Sequence, residues 1–180
     1  NIGGLPDDEI SKIIGSSFRD LKAKSPDIVN IIPSHLVITK NIEVPSINPK
    51  EIKDIIGLQA GRHTPHSRED IIVDYINIGA SKHNYTKILL VIVGRNVIKR
   101  QFDTLSKAGL TVQKVSFAPE GLAWAASRIL KLETGVSPVS IIHIDGNFTD
   151  FTIVFKSKLI FVRSIPIGAQ HLIAEKERYE

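Results

Sequence analysis

IIHIDGNFTDFTIVFKSKLIFVRSIPIG, Ile141 to Gly168, reads as apolar strand, glycine turn, apolar strand, short basic turn and apolar strand. Ile-, Val- and Phe-rich runs bounded by Gly, Asn and Asp are the pattern of consecutive hairpins. The first turn carries more than a hairpin needs. Asp145, Gly146, Asn147, Thr149 and Asp150 place two carboxylates and a hydroxyl around one glycine. One reading is an Asx-type turn whose Asn and Asp side chains hold backbone N–H groups. The other is half of a phosphate clasp. In it, a glycine turn presents N–H groups and a hydroxyl to phosphate oxygens, and a carboxylate at the strand end holds Mg²⁺ through water. Taken alone, the turn favours the first reading.

Working outward, the pattern alternates between helical and strand periods. After Pro6 and three acids, Ile10, Ile13, Ile14, Phe18 and Leu21 mark one helical face, closed by Pro26. Residues 27–45 are β-rich and broken at Pro33-Ser34. Asn48 as N-cap, Pro49 at N1 and Glu51 at N3 form a capping-box arrangement ahead of the stripe Ile52, Ile55, Ile56. That helix fades through Gly57 and Gly61 into the loop HTPHSRED. A strand (71–79) and a polar turn from Gly79 to Tyr85 lead to KILLVIV, an unbroken apolar run suited to a strand covered on both faces. The next helix points Val97, Ile98, Phe102 and Leu105 inward and ends with Gly109 at C′. A further strand leads to an Ala-rich helix that starts at Pro119-Glu120, is stopped by Gly135 and Pro138, and carries Trp124 as a packing anchor. A charged helix ends the chain.

The expected order is therefore α-β-β-α-β-β-α-β-α-β-β-β-α, an α/β (α+β) arrangement with helices packed on sheets. The stretch from His35 to Ala108 could close on itself as a small two-layer unit. A chain of 180 residues can bury a real core.

The composition excludes several chemistries. There is no cysteine, so disulfides, thiolate zinc sites and cysteine nucleophiles are absent. Basic residues exceed acidic ones by only four, and their runs mix signs, so no nucleic-acid groove is expected. No apolar run reaches the ~18 residues of a membrane span. A chain opening on Asn1, without methionine, is expected to be a fragment or processed chain. His63 and His66 are three apart in a proline loop with no third ligand at zinc spacing, and read as surface residues. His143 reads as structural, since no Ser-His-Asp order can be built around it. Ser34-His35 lacks a nucleophile elbow, and GRNVIKR lacks the phosphate-loop spacing.

Four segments in succession resemble the PilM/FtsA family of the actin/Hsp70-like ATPase superfamily: NIIPSHLVITKNIEVP, NPKEIKDIIGLQAGRHTPHSREDIIVDYINIG, KILLVIVGRNVIKRQFDTLSKAGLTVQKVSFAPEGLAWAA and IIHIDGNFTDFTIVFKSKLIFVRSIPIGAQHL. Each motif alone is weak; their order is specific. The resemblance implies an actin-like lobe incomplete at both ends. Residues 1–34 and 109–140 would belong to the first lobe, 35–108 to a small inserted α+β subdomain, and 141–180 to the start of the second lobe.

The turn would then be the family's second phosphate loop, although D-G-N-F-T-D is shorter than the pattern D-x-G-x-x-x-T. Asp145, Gly146, Asn147 and Thr149 would meet the nucleotide, with Asp145 also at the metal, and ATP with Mg would bind only to the full-length protein. Weak turnover at most is implied there, and no measurable hydrolysis by this chain. The role implied is that of a cytoplasmic component of a type IV pilus or related secretion platform, at the inner face of the inner membrane. It would bind the N-terminal tail of a PilN-like inner-membrane protein and meet the membrane only through that partner. Other readings are an FtsA-like cell-division membrane adaptor, a sugar-kinase-like phosphotransferase, and an interaction module without nucleotide.

Overall fold

The computed structural model describes residues 4–22, 27–81, 83–131 and 135–176. Its elements follow the expected order: α1 (Asp7–Asp20), β1 (Ile28–Ile32), β2 (Val37–Val44), α2 (Pro49–Gln59), β3 (Ile71–Ala80), β4 (Thr86–Gly94), α3 (Arg95–Lys107), β5 (Val112–Phe117), α4 (Ala118–Trp124), β6 (Val139–Ile144), β7 (Thr149–Phe155), β8 (Lys158–Ile165) and α5 (Ala169–Lys176). The α/β class read from the sequence is the class observed. Three sheets form: β1 and β5 pair in parallel, β2-β4-β3 is antiparallel, and β6-β7-β8 is antiparallel.

Strand β4 explains how the layers stack. Successive side chains of a strand point to opposite faces. Ile88, Leu90 and Ile92 join Val44 and Ile71 against Ile52, Ile56 and Ala60, so α2 covers one face of the middle sheet. Leu89, on the other face, packs with Phe117, Ala123, Val154, Leu159 and Val162, drawn from β5, α4, β7 and β8. The apolar run is thus buried on both sides, as its lack of alternation requires. The outer sheet is also tied on by side chains of β2: Thr39 Oγ1 donates to the Val162 carbonyl at 3.2 Å and Asn41 Nδ2 to the Ile160 carbonyl at 2.8 Å.

Helices α1 and α3 cross where their side chains are small. Ser11 Oγ donates to the Thr104 carbonyl at 2.9 Å. A Cβ on Gly15 would lie 3.2 Å from the Ala108 carbonyl oxygen. Around the crossing, Arg100 grips Asp7 with two nitrogens and Lys107 meets Asp8 at 2.6 Å. The Asn30 amide donates to Gln101 at 2.8 Å, joining α3 to β1. Gly109 (φ +79) ends α3 in a Schellman turn, with Leu110 N–H on the Leu105 carbonyl and Gly109 N–H on the Ser106 carbonyl.

The structure corrects four local expectations. Trp124 is no packing anchor: it is 60% exposed, because the buried positions of α4 are Pro119 and Ala123. On α1, Ile13 and Leu21 are exposed, because the face turned inward runs through Ser11 and Gly15. Phe102 on α3 is not fully turned inward but 36% exposed. The capping box is relayed: Glu51 accepts from Ser46 Oγ at 2.5 Å, and that hydroxyl takes the Asn48 N–H at 3.0 Å. Asn48 itself caps Lys50 N–H at 2.9 Å. Pro26, part of the Gly79–Tyr85 turn, and the ends of the Ala-rich and final helices lie outside the described residues.

Candidate functional site

The turn between β6 and β7 is a tight knot. Asp145 N–H donates to the Phe148 carbonyl at 2.9 Å, and Gly146 N–H to the Asp145 carboxylate at 2.7 Å. From the other side, Ala169 N–H donates to the Asp145 carbonyl at 2.8 Å and Gln170 N–H to the Gly146 carbonyl at 2.9 Å, so α5 begins on the turn. Thr149 Oγ1 donates to the Ile167 carbonyl at 2.6 Å. Gly168 lies so close beneath that a Cβ there would stand 2.6 Å from Phe148 N and 2.7 Å from Asn147 N. Only glycine fits there, and the reason is space.

The four sequence-predicted residues therefore share one turn with different freedoms. Asp145 and Asn147 are exposed and Gly146 is partly so. The Asp145 carboxylate, at a strand end and, among the described residues, bonded only to its neighbour's N–H, has oxygen lone pairs to spare for a hydrated cation. The Thr149 proton is already given to Ile167, so that hydroxyl braces the turn. The exposed carboxylate fits a hydrated metal edge, whereas the Asp145 and Gly146 N–H groups and the Thr149 hydroxyl are already donated within the turn and fit a supporting place. No group of three or more His, Asp or Glu among the described residues could hold a metal ion, so Asp145 would need phosphate and water to complete one. His63 and His66 belong to no such group.

Residues remote in sequence surround this turn. His35 stacks on Phe148, 4.1 Å between ring centres and nearly parallel. Ser34 Oγ donates to Asp150 Oδ2, and His143 Nδ1 lies 4.0 Å from the same oxygen. This is not a nucleophilic triad. A triad needs histidine between serine and carboxylate to take the hydroxyl proton. Here the carboxylate stands between them, and Ser34 is buried at 4% exposure.

A second site lies between sheets. An apolar groove of about 230 Å³ opens between β3 and β5, with Val91 and Val93 of β4 among its lining. Asp74, Tyr75 and Ile76 line one wall; Val115, Ser116 and Phe117 line the other. Ile72 and Asp74 with their register partners Val93 and Val91 put the groove over one face of the middle sheet, and Tyr75, whose side chain points the other way, shows that it reaches the β3 edge. Among the described residues, β3 pairs only with β4 and β5 only with β1, leaving each an edge without a strand neighbour. The Tyr75 N–H is held at 2.9 Å by the Asp74 carboxylate, which shields that edge. Glu120 also lines the groove. Sequence reading missed these residues, because β3 and β5 are each ordinary strands until the fold sets their edges across a gap.

No curated protein matches the chain in sequence. Among solved structures, a "PilM-PilN type IV pilus biogenesis complex" matches with a TM-score of 0.84 at 14% identity, over 97% of this chain and 53% of that one. The cytoplasmic domain of EpsL, an inner-membrane component of the type II secretion system of Vibrio cholerae, matches with a TM-score of 0.59 at 13% identity, over 88% of this chain and 56% of that one. A Bacteroides thetaiotaomicron protein of actin-like ATPase fold and unknown function matches at 12% identity and a TM-score of 0.46, over 94% of this chain and 60% of that one. The chain thus spans little more than half the length of the structures it matches. The first two likenesses concern the fold. Family membership rests on sequence: the profile of the family described as type IV pilus assembly protein PilM matches residues 6–179, and the chain belongs to that family.

Proposed function

We propose that this protein serves a type IV pilus or related secretion platform on its cytoplasmic side, holding the N-terminal tail of a PilN-like inner-membrane protein in the groove between β3 and β5. The carrying observation is the pair of strand edges without strand neighbours on facing walls of an apolar groove. An extended peptide adds to such an edge through main-chain hydrogen bonds, while pockets for alternate side chains set its sequence. The solved structure named for a PilM–PilN complex supports the partner's class. Among the described residues no helix is long and apolar enough to cross a membrane. The test is calorimetry of the full-length protein with a PilN-type tail peptide. Binding is expected and is abolished by Val115→Lys, which puts a charge into the groove; binding that survives Val115→Lys would move the peptide elsewhere.

The full-length protein also binds Mg-ATP in this reading, with Asp145 toward the hydrated metal, Gly146 and Asn147 along the phosphates, and Thr149 bracing the turn. ATP supplies a charged ligand that favours one arrangement of the lobes; the chain's own part is to present an exposed carboxylate and backbone. The family's division of the chain belongs to the same proposal: first lobe 1–34 and 109–140, insert 35–108, second lobe from 141. Asp145→Ala is expected to weaken Mg-ATP binding by the full-length protein roughly tenfold or more, as loss of a charged ligand does. Unchanged affinity would remove Asp145 from the site. The 180-residue chain alone is expected to bind ATP feebly; tight binding would show that the rest of the protein is not needed.

A further inference from the structure

Beside the groove is a second hollow of about 490 Å³, sharing Ile76, Ser116 and Glu120 with it. Its chemistry is different. Lys114 of β5, Arg128 beyond α4 and Lys158 at the start of β8 all line it, brought there from three separate elements. All three are exposed, and none forms a salt bridge with a described carboxylate. One acid faces them, Glu120, whose carboxylate takes the Ser116 hydroxyl at 3.3 Å. Trp124, an exposed aromatic ring, forms part of the same wall.

The wall is built on an unusual backbone. Ala125–Ile129 is a π-turn, closed by Leu130 N–H on the Ala125 carbonyl at 2.9 Å. Such turns are rare and concentrate at functional sites. This one carries Arg128 and Ser127, both lining the hollow; the Ser127 hydroxyl is buried with no hydrogen-bond partner among the described residues. Three cations without a described salt-bridge partner beside an exposed tryptophan call for an anionic ligand with some apolar length.

We propose that this basic hollow takes acidic side chains of the same peptide whose apolar residues fill the groove. The proposal rests on the groove reading and adds to it a specificity: glutamate or aspartate flanking the apolar anchors on the side facing Lys114 and Arg128. Charge complementarity and the continuity of the two hollows select this occupant. Contacts of this kind set partner choice and association rate more than raw affinity.

The test uses the full-length protein and a PilN-type tail peptide, bare or extended at either end by a run of glutamates or of glutamines. At low ionic strength, glutamates at one end are expected to tighten binding roughly five- to tenfold over glutamines. That advantage should fall below about twofold in ~0.5 M salt or in Lys114→Gln/Arg128→Gln. Trp124 emission, taken as the difference from Trp124→Phe, should shift with the glutamate peptide only. If the bare tail binds and Val115→Lys, which touches the groove and not the hollow, abolishes it, but glutamate and glutamine peptides bind alike, the basic hollow is overturned and the groove stands. If a glutamate run binds with the Trp124 shift and is indifferent to Val115→Lys, the groove reading fails and the hollow stands alone. No binding by any of the peptides overturns both.

Discussion

The Ser34 hydroxyl donates to the carboxylate of Asp150 across 116 residues of sequence. Ser34 sits in the short turn between β1 and β2, and Asp150 lies near the start of β7, so one buried hydrogen bond joins the first strands of the chain to its last sheet. Asp150 is only 9% exposed, and its other oxygen, Oδ1, is buried with no hydrogen-bond partner among the described residues. The serine is the one described hydroxyl bonded to this carboxylate, and its removal should be felt.

Ser34→Ala is expected to destabilise the protein by about 1–3 kcal/mol, because it leaves a buried carboxylate without its hydrogen-bond donor. Asp150→Asn removes the charge, keeps the shape and an acceptor, and should lose less. Urea unfolding of both variants decides. Asp150→Asn as harmful as Ser34→Ala would mean that the charge itself, through His143 at 4.0 Å, is what the fold uses.

Gly168→Ala should be among the more damaging small substitutions in the chain. The added methyl would meet backbone nitrogens of Asn147 and Phe148 at 2.7 and 2.6 Å, and backbone cannot swing aside as a side-chain tip can. A loss of about 2–4 kcal/mol is expected, with faster amide exchange over residues 145–148. A wild-type melting temperature would show that the turn has room.

Leu89 and Trp124 should invert the usual ranking of aromatic over aliphatic. Leu89 is fully buried where β4 meets β5, α4 and the outer sheet. Leu89→Ala should lose about 2–5 kcal/mol. Trp124→Ala, at an exposed site, should stay within about 0.5 kcal/mol. Comparable losses from the two would restore Trp124 as an anchor.

The α1–α3 ion pairs should be visible in the pH dependence of stability. Hydrogen bonding to Arg100 holds the Asp7 carboxyl below its ordinary range, and hydrogen bonding to Lys107 does the same for Asp8. A carboxylate with a depressed folded-state pKa adds stability above its unfolded pKa of about 3.9 and loses it as pH falls through the folded value. Asp7→Asn/Asp8→Asn should therefore lower the urea midpoint at neutral pH, and the difference should shrink as pH falls below the unfolded value through the folded ones. Both pairs are exposed, so the neutral-pH effect should be small and shrink with added salt. A difference undiminished in acid would have another cause.

Much of the secondary structure was legible because its signals are local. Periodicity along residues 87–93, the glycine at 109 and the asparagine at 48 each act within a turn or two of chain, and each does in the fold what its neighbours dictate. Errors arose where a local pattern was completed from elsewhere. Ile13 has the right spacing for α1's inner face, but α3 approaches over Ser11 and Gly15 and leaves it outside. Trp124 looks like an anchor until the packing of α4 selects Ala123 instead. At the candidate site, Asp145, Gly146, Asn147 and Thr149 were nameable together because they are adjacent in sequence. Gly168, Ser34 and His35, which support them, were not, since nothing in their own surroundings points to residue 145.

The sequence by itself determined the order of elements, the α/β class and the family, because hydrophobic period, caps and turn residues are written in consecutive positions. Tertiary structure alone decided that β3 and β5 turn edges toward a common groove, that three scattered cations line one hollow, and that Ser34 reaches Asp150. Those relations depend on how sheets stack and where strands end. Stacking is set by burying the two faces of β4 against different partners, a constraint that acts between residues far apart in the chain.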